Sequence, residues 1–130
     1  MDGLTLAAGT ADVNPATVAG GTDSDTMAVK YATGGVTVAY QYTDIDKSAN
    51  DEQGTHWGIS YAVNDDLTIS YGKQEVEIQG KGADEINSGA SISYTMGSTS
   101  IAAYAHKTEA AAGASGSNDE GKGITLSIAF

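Results

Sequence analysis

The 130-residue chain contains no cysteine, which removes disulfide frameworks, thiol nucleophiles and thiolate metal sites from consideration. It has no arginine and only six lysines against 17 acidic residues, for a net charge of -11. Nucleic acid is excluded as a partner, because phosphates need clustered cations to neutralise them. No stretch of about 18 apolar residues exists, so no membrane helix is encoded. A spanning β-strand is not excluded by this, since it needs only about 9–11 residues of which every second one can be polar. There is no Gly-x-Ser-x-Gly elbow, no phosphate loop and no zinc motif, which leaves catalysis without a recognisable constellation. The opening Met1-Asp2-Gly3 lacks the basic and apolar regions of a signal peptide. Proline is down to one residue, Pro15, whereas glycine reaches 17.

What the chain does have is alternation. In Ile124-Thr125-Leu126-Ser127-Ile128-Ala129-Phe130, large apolar residues fall on every second position. A β-strand sends successive side chains to opposite faces, so this segment has one apolar face and one mild one. The same pattern recurs in Val36-Thr37-Val38-Ala39-Tyr40-Gln41-Tyr42, and Trp57, Ile59, Tyr61 and Val63 stand opposite His56, Gly58, Ser60 and Ala62. Eight stretches qualify as strands, at about 3–10, 25–33, 35–44, 54–63, 66–73, 86–96, 98–107 and 122–130. No segment has helical periodicity, and the chain reads as all-β.

The connections fall into two kinds. Thr33-Gly34-Gly35, Asn64-Asp65-Asp66 and Met96-Gly97-Ser98 are tight turns. The others, about 11–24, 45–53, 74–85 and 108–121, are long and polar. Strict alternation of short and long connections is the pattern of an antiparallel up-and-down transmembrane β-barrel. Acidic residues avoid the strand centres and gather in the long loops and at their edges, as expected if the centres face lipid. A turn-plus-strand unit repeats, with Leu4, Val36 and Leu67 at its strand starts. Tyr31, Tyr61 and Tyr94 each precede a short turn, where a membrane barrel carries an aromatic girdle. By the same repeat, Met1-Asp2-Gly3 stands where a turn joins two strands, so Met1 is expected to be an internal position of a longer protein.

These residues resemble the carboxyl-terminal half of an alphaproteobacterial-type general porin. The resemblance is carried by Gly34-Gly35-Val36-Thr37-Val38-Ala39-Tyr40, Asn64-Asp65-Asp66-Leu67-Thr68-Ile69-Ser70-Tyr71-Gly72, Ile92-Ser93-Tyr94-Thr95-Met96-Gly97 and the closing strand. It implies a single segment, 1–130, supplying eight strands of a 16-stranded barrel in a bacterial outer membrane, and a homotrimer that passes small hydrophilic solutes by diffusion. It also implies contact with lipopolysaccharide. Ile124, Leu126, Ile128 and Phe130 would be both lipid-facing and the signal read by the outer-membrane assembly machinery. The family's constriction loop belongs to the other half. Family pores also place arginines opposite acidic residues, and this chain has none, so no residue is assigned to that role.

Parity nominates pore-lining residues: Lys30, Gln41, His56, Ser60, Thr68, Ser70, Ser91, Ser93, Tyr104 and His106. Lys30 would act as a wall cation, the others as hydrogen-bonding or space-leaving groups. Lys73 and Lys107, near strand ends, are candidates for lipopolysaccharide phosphates. Asp23, Asp25, Asp44 and Asp46 are hard oxygen ligands in acidic loops, able to take Ca2+ or Mg2+, although none fits the twelve-residue calcium loop. No other cofactor is expected. Three rival readings stand beside the porin one, of which an outer-membrane enzyme lacks a catalytic constellation. A small closed eight-stranded barrel would have a structural or adhesive role, its interior filled by side chains. A soluble acidic β-protein would bury its aromatic faces as a core.

Overall fold

A computed structural model describes residues 3–13, 21–47 and 50–129. Eight strands run β1 (Gly3–Val13), β2 (Thr22–Thr33), β3 (Val36–Lys47), β4 (Glu52–Ala62), β5 (Leu67–Ile78), β6 (Glu85–Met96), β7 (Thr99–Glu109) and β8 (Asp119–Ile128). They form one sheet in sequence order, each antiparallel to the next. At 10 to 12 residues, every strand is long enough to span the hydrocarbon of a bilayer.

The short turns form as their chemistry predicts. Gly34 and Gly35 both take positive φ, 51° and 82°, the geometry that lets a two-residue hairpin follow strand twist. At the β4–β5 turn the Asn64 side-chain oxygen accepts hydrogen bonds from the backbone N–H groups of Asp66 and Leu67, both at 2.9 Å, closing an Asx turn. The long connections differ from expectation. Strands continue several residues beyond the predicted ends, so the loops are shorter. The carboxylates expected in loops, Asp23 and Asp25, lie in β2, and Asp44 and Asp46 lie in β3. Polarity marked them as loop, but the hydrogen-bonded ladder does not stop where the apolar pattern stops. The last long connection contains a single 3-10 turn at Ala111–Gly113.

Directly paired residues share a face, so the register sorts the whole sheet. One row runs Thr5, Lys30, Ala39, Gly58, Gly72, Gly89, His106, Gly121. It begins near the short-turn end of β1 and finishes near the long-loop end of β8. The strands are therefore staggered, as tilted barrel strands must be. The opposite face carries Leu4, Val38, Ile59, Ile69, Ile92, Ile101 and Leu126. It is exposed throughout, for example Ile59 at 43 % and Ile124 at 79 %. Among the described residues the only buried apolar side chain is Ala110. Among the described residues the sheet has no core, and the buried aromatic faces expected of a soluble β-protein are not seen.

That apolar face is banded. Tyr31, Tyr61 and Tyr94 lie at its short-turn end, as anticipated. A second belt, Tyr40, Trp57 and Tyr71, lies towards the long-loop end, with the Trp57 and Tyr71 rings 5.5 Å apart. Aliphatic residues fill the space between. Beyond the second belt the same face turns ionic, with Lys73 paired to Glu75 at 2.8 Å and Lys107 paired to Glu109. Aromatic–aliphatic–aromatic banding followed by charge is the profile of a surface crossing a lipid layer.

The sheet does not close. Among the described residues every strand pairing is between sequence neighbours, and β1 makes no pairing with β8. The open sheet is consistent with part of a larger barrel and does not show the closed eight-stranded one. We expect Ile59→Arg to destabilise the protein in lipid vesicles by about 2–4 kcal/mol. Ser60→Arg, one residue on but on the other face, should change stability by less than about 0.5 kcal/mol. Denaturant unfolding of both variants measures the contrast, and equal effects would contradict the assignment of faces.

Candidate functional site on the polar face

The polar face is the concave side. One depression reaches from Thr5 on β1 across to Thr108 on β7, a reach possible only where the sheet curls towards that face. All ten residues nominated by parity stand on it: Lys30 on β2, Gln41 on β3, His56 and Ser60 on β4, Thr68 and Ser70 on β5, Ser91 and Ser93 on β6, Tyr104 and His106 on β7. Ile124, Leu126 and Ile128 stand on the apolar face, in register with Ala103, Ile101 and Thr99. Phe130 lies outside the described residues.

The register brings several of the ten together. Ser60, Ser70, Ser91 and Tyr104 occupy one row with Thr37. Gln41 and His56 share another with Gln74, Asn87 and Thr108. Between them runs the glycine row, which also carries Lys30 and His106. Thr68 and Ser93 are direct partners one step nearer the short turns. His56 and His106 fall in different rows and on strands three apart, so they do not form a pair. Gln74 and Thr108 were missed because a polar stretch was assigned to loop, whereas Asn87 lay inside the predicted strand at about 86–96 and was not nominated. Asn87 nonetheless has the same odd numbering as Gly89, Ser91 and Ser93.

Two rings of the polar face, Tyr104 and His106, lie over glycines of β8. Tyr104 and His106 are near parallel, 15° apart with centroids at 6.1 Å. They lie flat over β8, where Gly121 and Gly123 face them. A Cβ built on Gly121 would come within 2.5 Å of the imidazole, and one on Gly123 within 2.6 Å of the phenol. Only glycine permits this approach. The result is a flat aromatic patch on the wall, with no ring projecting from it.

Most of the polar side chains around the glycine row are unoccupied by the protein. Among the described residues, His56, Ser60, Gln74, Ser70 and Ser91 make no side-chain hydrogen bond, and Lys30 has no ion-pair partner. By contrast, the long-loop end is tied into a network. Thr108 donates to the Asn87 carbonyl at 2.6 Å, and Asn87 donates to Glu85 at 2.8 Å. Glu85 also accepts the backbone N–H of Ala112 at 2.5 Å. These two hydrogen bonds, the backbone one first, hold the Glu85 carboxyl below its ordinary range. Glu85 is the first residue of β6 and stands beyond the apolar band.

On the apolar side of the same rim, Asp23 is directly opposite Asp46 and Asp25 is opposite Asp44. Desolvation, followed by the fields of Asp44, Asp51, Asp23 and Asp25, pushes the Asp46 carboxyl up. Like charges placed opposite each other destabilise a sheet. Among the described residues, no group of three or more His, Asp or Glu side chains is drawn together closely enough to hold a metal ion.

An uninterrupted antiparallel sheet with a banded apolar exterior and a concave polar interior defines a wall of a transmembrane β-barrel. The chain belongs to the Gram-negative porin family, whose model matches residues 1–129. No curated protein and no solved structure matches it. Family membership implies an outer-membrane location and points to a channel, not an enzyme.

The Glu85 network gives a pH prediction. A carboxyl with a depressed folded pKa stabilises the folded loop above the unfolded value, about 4.3. It loses that contribution as pH falls through the depressed value. Amide exchange at Ala112 and Gly113 should therefore accelerate on acidification below pH about 4. Glu85→Ala should show fast exchange already at neutral pH, and unchanged protection in that variant would disprove the tether.

Proposed function

We propose that this chain supplies eight strands of a larger general-porin barrel, of 16 strands, through which small hydrophilic solutes and ions diffuse passively across the outer membrane. The observation that carries the reading is the open sheet with one lipid-type face and one small, polar, concave face. In a bilayer the unpaired N–H and C=O groups along β1 and β8 would each cost several kcal/mol, so both edges call for further strands. A wall built of Gly58, Ser60, Ser70, Gly89 and Ser91 supports a wide lumen, because such side chains fill little of the space they face. Conduction then needs no nucleophile and no conformational step. A rigid wall, water and a field set by lining charges suffice.

The same reading includes a homotrimer. Its support is a smooth patch on the apolar face, where Ala90 faces Ala105 and Ile92 faces Ala103, giving a second subunit room for close approach. Lipopolysaccharide would meet the ionic rim, and the alternating face of β8 would be read by the assembly machinery. Divalent cations, Ca2+ or Mg2+, would be loosely held between the opposed aspartates and lipid phosphates, without a dedicated protein cage.

Planar-bilayer recording of the complete barrel tests the function. Stepwise conductance increments that persist without a voltage threshold are expected. Verified insertion without any current would refute diffusion through this wall. Lys30→Glu reverses the one formal charge in the middle of the described wall, and it should shift the reversal potential in a salt gradient towards cation preference by several millivolts.

A further inference from the structure

Two adjoining depressions on the concave face share a floor, Ala39, Gly58, Gly72 and Gly89, and one end, His106. They form a single transverse groove running from β3 to β7. At about 4.8 Å between strands, its length is about 19 Å. The floor is low because three of its four residues have no side chain. The border towards the long loops presents His56, Gln74 and Asn87, with amide and imidazole groups. The border towards the short turns presents Ser60, Ser70 and Ser91, with hydroxyl groups. The two borders stand two residues either side of the floor, about 13 Å apart. At one end the Tyr104 and His106 rings lie flat over β8.

We propose that this groove binds neutral polyhydroxylated solutes, up to a trisaccharide in length, and holds them against the wall during passage. The inference rests on the porin reading and adds a solute class to it. Amides, hydroxyls and an imidazole offer donors and acceptors, matching the paired donor and acceptor character of sugar hydroxyls. Among the described residues, five of the six border side chains make no hydrogen bond, Asn87 being the exception, so a sugar bound to those five would break no bond among them. Of the three lysines along the groove, Lys73 and Lys107 stand on the opposite face, paired to Glu75 and Glu109, and Lys30 lies at its β3 end. Among the described residues a charged solute would meet an unpaired fixed charge only at that end. The flat ring pair offers an apolar surface to the C–H face of a pyranose, in the way aromatic side chains present an apolar body beside a polar tip.

The test uses raffinose, a neutral trisaccharide, and polyethylene glycol of equal hydrodynamic size as the comparison. Raffinose added to one side of the reconstituted complete barrel should give current blockades that saturate with concentration. Polyethylene glycol should give only a proportional reduction. Gly72→Val raises the floor, and the new Cβ meets the Trp57 carbonyl oxygen at an ordinary 3.4 Å. Gln74→Leu removes a border amide that no protein group uses. Each should raise the half-saturating raffinose concentration at least tenfold. Thr55→Ala, on the apolar face, should leave it unchanged.

Equal behaviour of the two probes, or raffinose blockades indifferent to both groove variants, would overturn the groove and leave the porin reading standing. Absence of any channel would count against the porin reading alone. In that event, saturation-transfer NMR of raffinose with the micelle-folded protein still decides the groove. Transfer that Gln74→Leu abolishes supports it, and no transfer from the unsubstituted protein overturns it.

Discussion

A lipid layer offers no hydrogen bonds, and every feature of this chain follows from that constraint. Backbone groups must pair between strands, so the strands run long and in strict sequence order. Side chains must then divide by parity, because a strand has only two faces. Leu4, Val38, Ile59, Ile101 and Leu126 take one face; Thr5, Ala39, Gly58, Ala102 and Thr125 take the other. Stability here does not come from a core. It comes from the bilayer accepting an apolar surface that water would reject, and from a ladder with no gap between β1 and β8.

The same parity explains why so much of the architecture was legible in the residues. With a side-chain period of two, a single well-placed alternation such as Val36 to Tyr42 assigns the face of every residue in its strand. Tight turns at Gly34-Gly35 and Asn64-Asp65-Asp66 then set the register to the neighbours. Eight strands, their order and the faces of all ten nominated residues could be read in this way. Strand ends could not. Asp44, Asp46, Glu75 and Glu77 look like loop residues because they are charged, yet a strand leaving the lipid keeps its hydrogen bonds while its side chains become free to ionise. The apolar pattern measures membrane thickness, and the ladder is longer than that.

Relations between distant rows were the other illegible part. Nothing in Gly121-Lys122-Gly123 announces that it underlies Tyr104 and His106. That follows only once Ala105 is paired with Lys122. The glycine row is hidden in the same manner. Gly58, Gly72 and Gly89 come from three different segments, each reading as an ordinary strand glycine. Only the stagger of the sheet lines them up. Glycine weakens a strand by removing packing surface, so three of them in register is a local cost that the ladder on either side must offset.

The distribution of charge shows how a strongly acidic chain lines a water-filled face without filling it with carboxylates. Its acidic residues are concentrated towards the strand ends, in rows such as Asp23–Asp46 and Asp25–Asp44, where repulsion is moderated by water and salt. Glu85 is the instructive exception. It points along the polar face, but its oxygens are occupied by Asn87 and by the Ala112 backbone, so its charge anchors a loop and is withheld from the wall. Lys47 and Glu52 neutralise each other at 2.6 Å on the same rim. The middle of the concave face is left to neutral donors and acceptors, with Lys30 alone at one side. A face so arranged presents hydrogen-bonding groups and shape more than charge, and the glycine-floored groove lies in that neutral middle.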